Sequence, residues 1–161
     1  ASVPAHSIPV HLMFFMRPLS THPADRMHGP CRFYDRRMYE ISIQHEFCAA
    51  HTLRIAGTHE PVHGHNFRVA ATISGETLDS DGLLCDFHTA AAVLRDICEP
   101  FVNAHLNETP PFDETNPTAE LIARHIAEGM AERLDGALAP HARITAVRVT
   151  ESPGCAATYR R

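Results

Sequence analysis

Residues 45–67 read HEFCAAHTLRIAGTHEPVHGHNF and carry five of the chain's thirteen histidines. Alternate residues of an extended chain point to one side, so His63 and His65 face a common point. They continue in parity into Phe67, Val69, Ala71 and Ile73, the apolar face of a strand. Upstream, His45, Phe47, Ala49 and His51 also share one parity. Two histidines flanking a glycine also suit a plain polar turn. Against that, imidazoles at the mouth of an apolar face need partners, and one metal ion satisfies several of them. Three neutral imidazoles without a fourth protein ligand make a catalytic zinc site, because water or substrate takes the open position. His51, His63 and His65 are the candidate ligands. Glu60, three residues before His63, is close enough in sequence to act beside such a metal.

Outward from this stretch, alternation predicts a strand over 39–50, a loop over 52–61 and a second strand over 67–75. Asp79, Ser80, Asp81 and Gly82 form a turn, and Asp86 is placed to cap a helix bearing Ala91, Leu94, Ile97, Cys98 and Phe101. Asn116-Pro117 starts a second helix with Ile122, Ile126, Met130 and Leu134 as its buried stripe, ended by Gly136. Strands over 144–151 and 155–160 complete the chain. The order ββααββ predicts an α+β fold, an antiparallel sheet with both helices on one face. Four strands leave two open edges, which joining the sheets of several subunits into a barrel would remove.

The length of 161 residues fits one domain, beginning near Met38. Before it, Pro4, Pro9, Pro18, Pro23 and Pro30 break any regular element. Residues 1–37 read as an irregular extension that docks on the domain or on a neighbouring subunit through Phe14 and Phe15. A net charge of −5 without a Lys/Arg cluster argues against a nucleic-acid partner. Five cysteines, an odd number with no CxxC pair, suggest reduced thiols in a cytoplasm. No apolar run approaches the ~20 residues that span a bilayer, and residues 8–16 make a poor signal peptide.

Glu151 shares parity with Val147 and Val149, which puts a carboxylate on the apolar face at a strand end. There it finds donors or changes its pKa. A backbone or arginine partner would satisfy it. So would a ligand with adjacent N–H donors, such as guanine or pterin. Thr118 and Glu120 stand in the first turn of the second helix, where capping and the helix dipole account for them.

FCAAH, HGHNF, DGLLCDF, NPTAE and VRVTES occur here in the order found in the 6-pyruvoyl-tetrahydropterin and 6-carboxy-tetrahydropterin synthases, and residues 38–161 resemble that family. The resemblance implies the T-fold, zinc on His51, His63 and His65, and a pterin anchored by Glu151 with support from Thr118 and Glu120. It implies 7,8-dihydroneopterin triphosphate as substrate class and a homo-oligomer, a hexamer, with a barrel of sheets. The family's main branch has a catalytic cysteine four residues before its first HGH histidine, where this chain has His59. Glu60 instead resembles a subclass with glutamate in place of that cysteine, whose product is 6-hydroxymethyl-7,8-dihydropterin for folate synthesis. The family's Asp-His pair lacks its aspartate here, and His105 stands as the counterpart of its histidine. Beside the cleavage reading stand the 6-carboxy-tetrahydropterin synthase reaction of 7-deazaguanine synthesis, the 6-pyruvoyl reaction, and a non-catalytic pterin- or purine-binding protein.

Overall fold

Burial with period two builds the sheet, and a computed structural model describes it over residues 38–161. The expectations for residues 1–37, including Phe14 and Phe15, lie outside the described residues. β1 (Tyr39–His51) buries Ile43, Phe47, Ala49 and His51 on one face. It runs into a small hairpin of β2 (Arg54–Ile55) and β3 (Thr58–His59). β4 (His63–Gly75) returns antiparallel to β1, burying Phe67, Val69, Ala71 and Ile73 on the same face. β5 (Ala104–His105) is a two-residue strand beside Ala49 and Ala50, and β6 (Ala142–Ser152) and β7 (Cys155–Arg160) close the order β5-β1-β4-β6-β7.

Both helices lie across the buried face. α1 (Phe87–Cys98) is capped by Asp86, whose carboxylate accepts from the backbone N–H groups of His88 and Thr89. α2 (Ala119–Leu138) is capped by Thr118 and buries Ile122, Ile126, Met130 and Leu134. Phe47 stacks on Phe67 with centroids 5.3 Å apart, and Phe101 packs against Phe47 at 6.0 Å. The opposite face is polar, with Glu46 bonded to Arg68 at 2.9 Å.

Four expectations change. The loop over 52–61 contains the β2–β3 hairpin, whose tight turn puts Ala56 and Gly57 at φ 48° and 82°. Two-residue strands are too short to leave a period. β4 begins at His63, so the histidines belong to the strand itself. The sheet is mixed, because β5 pairs parallel with β1. Gly136 does not stop α2. Glycine in a helix costs about 1 kcal/mol, whereas burying Leu138 to 5% exposure gains ~1.5–3 kcal/mol, so the last turn holds.

β6 departs from strict alternation at two places. Opposite β4 its register slips at Thr145, so Ile144 and Val147, of opposite parity, both face inward. Opposite β7 it slips between Thr150 and Ser152, leaving Glu151 as the extra residue of a bulge. Bulges re-aim side chains, and this one sets the functional end of the sheet.

Candidate metal centre

The register of β1 on β4 puts His51 directly opposite His63, and Ala49 opposite His65. All three imidazoles therefore converge at one end of the buried face. Ring centroids lie 4.7 Å apart for His51–His63, 5.3 Å for His51–His65 and 5.0 Å for His63–His65. Phe67 meets His51 and His65 edge-on at 5.5 and 5.6 Å, an apolar floor that keeps water from one side.

Backbone carbonyls select the tautomers. His51 Nδ1 lies 3.0 Å from the carbonyl of Pro117, and His63 Nδ1 lies 2.9 Å from that of Pro61. A carbonyl only accepts, so each Nδ1 carries the proton and each Nε2 offers its lone pair. Burial pushes the His51 pKa below its ordinary value, against the opposing pull of the Pro117 carbonyl and of Glu151. The neutral imidazole, the metal-ligating form, is thereby favoured.

The bulge brings Glu151 to the same point. Its Oε1 lies 3.2 Å from His51 Nε2 and 3.1 Å from His65 Nε2. Despite these distances, both Nε2 atoms are buried without a partner in hydrogen-bond geometry. One donor atom from each of His51, His63, His65 and Glu151 lies within 4.8 Å of the others. Buried, unpartnered nitrogen lone pairs converging beside a carboxylate fit a divalent metal, and the nitrogen-rich donor set suits zinc. The alternation of β6 signals that Glu151 faces inward, but only the bulge reveals its contact with the imidazoles.

The family model of 6-pyruvoyl tetrahydropterin synthase matches residues 40–161. The chain belongs to this family. Family members are lyases, and the chain is an enzyme of that class. It is 32% identical over 93 residues to a putative 6-carboxy-5,6,7,8-tetrahydropterin synthase of Archaeoglobus fulgidus, covering 58% of this chain and 76% of the relative. It is 29% identical over 129 residues to the 6-carboxy-5,6,7,8-tetrahydropterin synthase of Bacillus subtilis, covering 76% and 85%. The fold matches the Caenorhabditis elegans 6-pyruvoyl tetrahydropterin synthase with a TM-score of 0.66 at 18% identity, over 78% of this chain and 96% of that one. The Plasmodium vivax enzyme matches with a TM-score of 0.59 at 18% identity, over 78% and 98%, in a variant whose catalytic residue, a glutamate, is replaced by alanine.

Among the described residues the cluster takes in His51, His63, His65 and Glu151, and the other candidates of this family member stand beyond it. Glu60 is half-buried between β3 and β4, its N–H bonded to the Leu53 carbonyl at 2.9 Å. His105, in β5, pairs with Ala50 next to His51; both its ring nitrogens are buried without a hydrogen bond, with Glu108 Oε1 3.4 Å from Nδ1. Thr118 Oγ1 accepts from Leu121 N at 3.3 Å, so the threonine is a working helix cap. Thr118 and Glu120 also border a cavity of about 560 Å³ with Arg54, Asn116 and Glu151. Glu151 borders a second cavity, about 320 Å³, with His65, Asn66 and Thr150, where β4 and β6 have stopped pairing.

Two asparagines have backbone partners that the sequence does not announce, although Asn116 is legible as the start of the second helix. Asn107 accepts from the Thr52 N–H at 2.8 Å and donates to the Thr52 carbonyl at 2.9 Å. Asn116 does the same for Arg54, at 2.9 and 3.1 Å. Each side-chain amide imitates a strand neighbour, so residues 52–54 stay extended beyond β1. Their signal, a turn-type asparagine beside a proline or a 3-10 turn, is too common to single out.

Proposed function

We propose that the chain holds zinc on His51, His63 and His65 and cleaves the three-carbon side chain of 7,8-dihydroneopterin triphosphate, releasing 6-hydroxymethyl-7,8-dihydropterin. The observation that carries this reading is the identity of the candidate base. Glu60 occupies the segment entering β4, and the nearest cysteine in sequence, Cys48, gives its thiol hydrogen to Asn66 Oδ1 at 3.1 Å on the exposed face. The glutamate described as catalytic in the Plasmodium vivax enzyme supports the same role.

Zinc, when bound, supplies Lewis acidity to the substrate's side-chain hydroxyls. Glu60 takes the proton of the second side-chain hydroxyl, its oxygen becomes a carbonyl as the bond to the first side-chain carbon breaks, a two-carbon aldehyde bearing the triphosphate leaves, and His105 returns a proton to the carbon left on the ring. A carboxylate is a weaker base than a thiolate, which suits an acidified hydroxyl better than a carbon acid. Glu151 accepts from the ring amide and amino group of the pterin, with Thr118 and Glu120 bordering the same cavity.

The open sheet edges support assembly into a homo-oligomer, and the hexamer is what the family resemblance implies. Among the described residues β7 has no outer neighbour and β5 covers only Ala49 and Ala50 of β1. Pairing β7 of one copy with β1 of the next would close the barrel.

A second reading, 6-carboxy-5,6,7,8-tetrahydropterin synthesis, is favoured by the activity named for the two sequence relatives. Incubating the zinc-loaded protein with 7,8-dihydroneopterin triphosphate and identifying the pterin decides between them. The 6-hydroxymethyl product supports cleavage, the 6-carboxy product supports the second reading, and no turnover contradicts both.

A further inference from the structure

We infer that Arg54 receives the phosphate chain of the substrate, an assignment that deepens the pterin reading above and rests on it. The chain carries a net charge of −5, and the cavity that Glu151 borders at the start of α2 carries a second carboxylate, Glu120. A polyphosphate tail entering there needs a compensating cation. Among the described residues, Arg54 is the one basic side chain lining that cavity. Arg68 borders the smaller cavity beside Glu151, but Glu46 already holds it at 2.9 Å. The Arg54 guanidinium forms no ion pair among the described residues, although it also borders a third cavity, about 210 Å³, with Asp113 and Glu114.

The backbone under Arg54 is unusually well held for an exposed residue. Asn116 bonds both its N–H and its carbonyl, at 2.9 and 3.1 Å, and Glu60 N–H binds the carbonyl of neighbouring Leu53 at 2.9 Å. Only side-chain torsions are then left to order when an anion arrives, which lowers the cost of binding. Guanidinium presents a planar fork that meets phosphate oxygens bidentately, which an ammonium cannot do. Leu53 ties the same segment to Glu60, so engaging the tail at Arg54 steadies the peptide that carries the base. Binding energy from the unreacting end of the substrate is thereby used at the reacting one.

The test uses two unreactive ligands, neopterin and neopterin triphosphate, titrated by pterin fluorescence against the zinc-loaded protein and its variants. The parent is expected to prefer the triphosphate by about tenfold or more, the worth of a charge-assisted contact. Arg54→Gln should abolish most of that preference, and Arg54→Lys should keep part of it, with zinc content and melting temperature as controls on folding. An equal preference in parent and Arg54→Gln, or none in the parent, overturns the assignment while leaving the pterin reading standing. Failure of the parent to bind either ligand would overturn the pterin reading, and this assignment with it.

Discussion

The two ends of the sheet treat buried polar atoms in opposite ways. At the end where β4 finishes and β6 begins, they are paired. Ser74 Oγ and Thr145 Oγ1 share a bond at 2.8 Å, His141 Nε2 binds the Leu84 carbonyl at 3.1 Å, and Asp135 accepts from Ile144 N–H at 2.9 Å and from Arg161 at 2.6 Å. At the other end, His51 Nε2, His65 Nε2 and both nitrogens of His105 are buried without a hydrogen bond. The unpaired nitrogens belong to three strands, β1, β4 and β5, and β4 also supplies Ser74 at the paired end, so the contrast does not come from one badly packed element. A buried unpaired polar group costs about 1–3 kcal/mol, and a chain able to satisfy one end leaves the other unsatisfied where a ligand completes it. Unpaired nitrogens that converge indicate a site. Isolated ones do not, and His45 Nε2, further back along β1, is such a case.

The contrast is broken most severely by removing a ligand. His51→Ala, His63→Ala or His65→Ala should each lower zinc affinity by more than the ~10–100-fold typical of losing an outer partner of a metal ligand. His45→Ala and His59→Ala should keep the metal, as read by elemental analysis after dialysis. Next comes Glu60→Gln, which keeps size and loses basicity. Turnover of 7,8-dihydroneopterin triphosphate should fall by ~10²–10⁴ with zinc retained. Cys155→Ala, at an exposed thiol bordering the same large cavity as Glu151, should stay near the parent. Retained turnover in Glu60→Gln would move the base elsewhere.

Glu151→Gln sharpens the comparison because two jobs compete for that carboxylate. As the pterin acceptor, its loss should weaken pterin binding by about 10–100-fold, or ~1.5–3 kcal/mol, with zinc content unchanged. A fall in zinc content instead would make Glu151 a fourth ligand. The smallest effect belongs to the satisfied end. Asp135→Ala strands the Ile144 N–H and should cost ~1–3 kcal/mol of stability in a denaturant titration, without altering zinc content.

Most of the architecture is legible in the chain because its elements bury one face with a clean period. The stripes of α2 and β4, and the cap at Asp86, need no long-range information. The three histidines are legible for the same reason, since parity alone aims them inward. The missing parts depend on register. The bulge at Glu151 and the slip at Thr145 exist only where β6 meets β7 and β4, and no local pattern encodes a mismatch between strands. The β2–β3 hairpin, β5 and the amides of Asn107 and Asn116 act through two-residue contacts too short for periodicity. These small pieces fix where Glu60 and His105 stand, so the candidate metal ligands can be read from the sequence more easily than the surroundings of the proposed proton-transfer groups.

The imidazoles of His51, His63 and His65, converging at one end of the sheet, are proposed to hold a single zinc ion. Diffraction data collected on crystals of the zinc-loaded protein, above and below the zinc absorption edge, test it directly. One anomalous peak per chain is expected, ~2.0–2.1 Å from Nε2 of His51, His63 and His65. An empty cluster, or a peak held by other side chains, would contradict it.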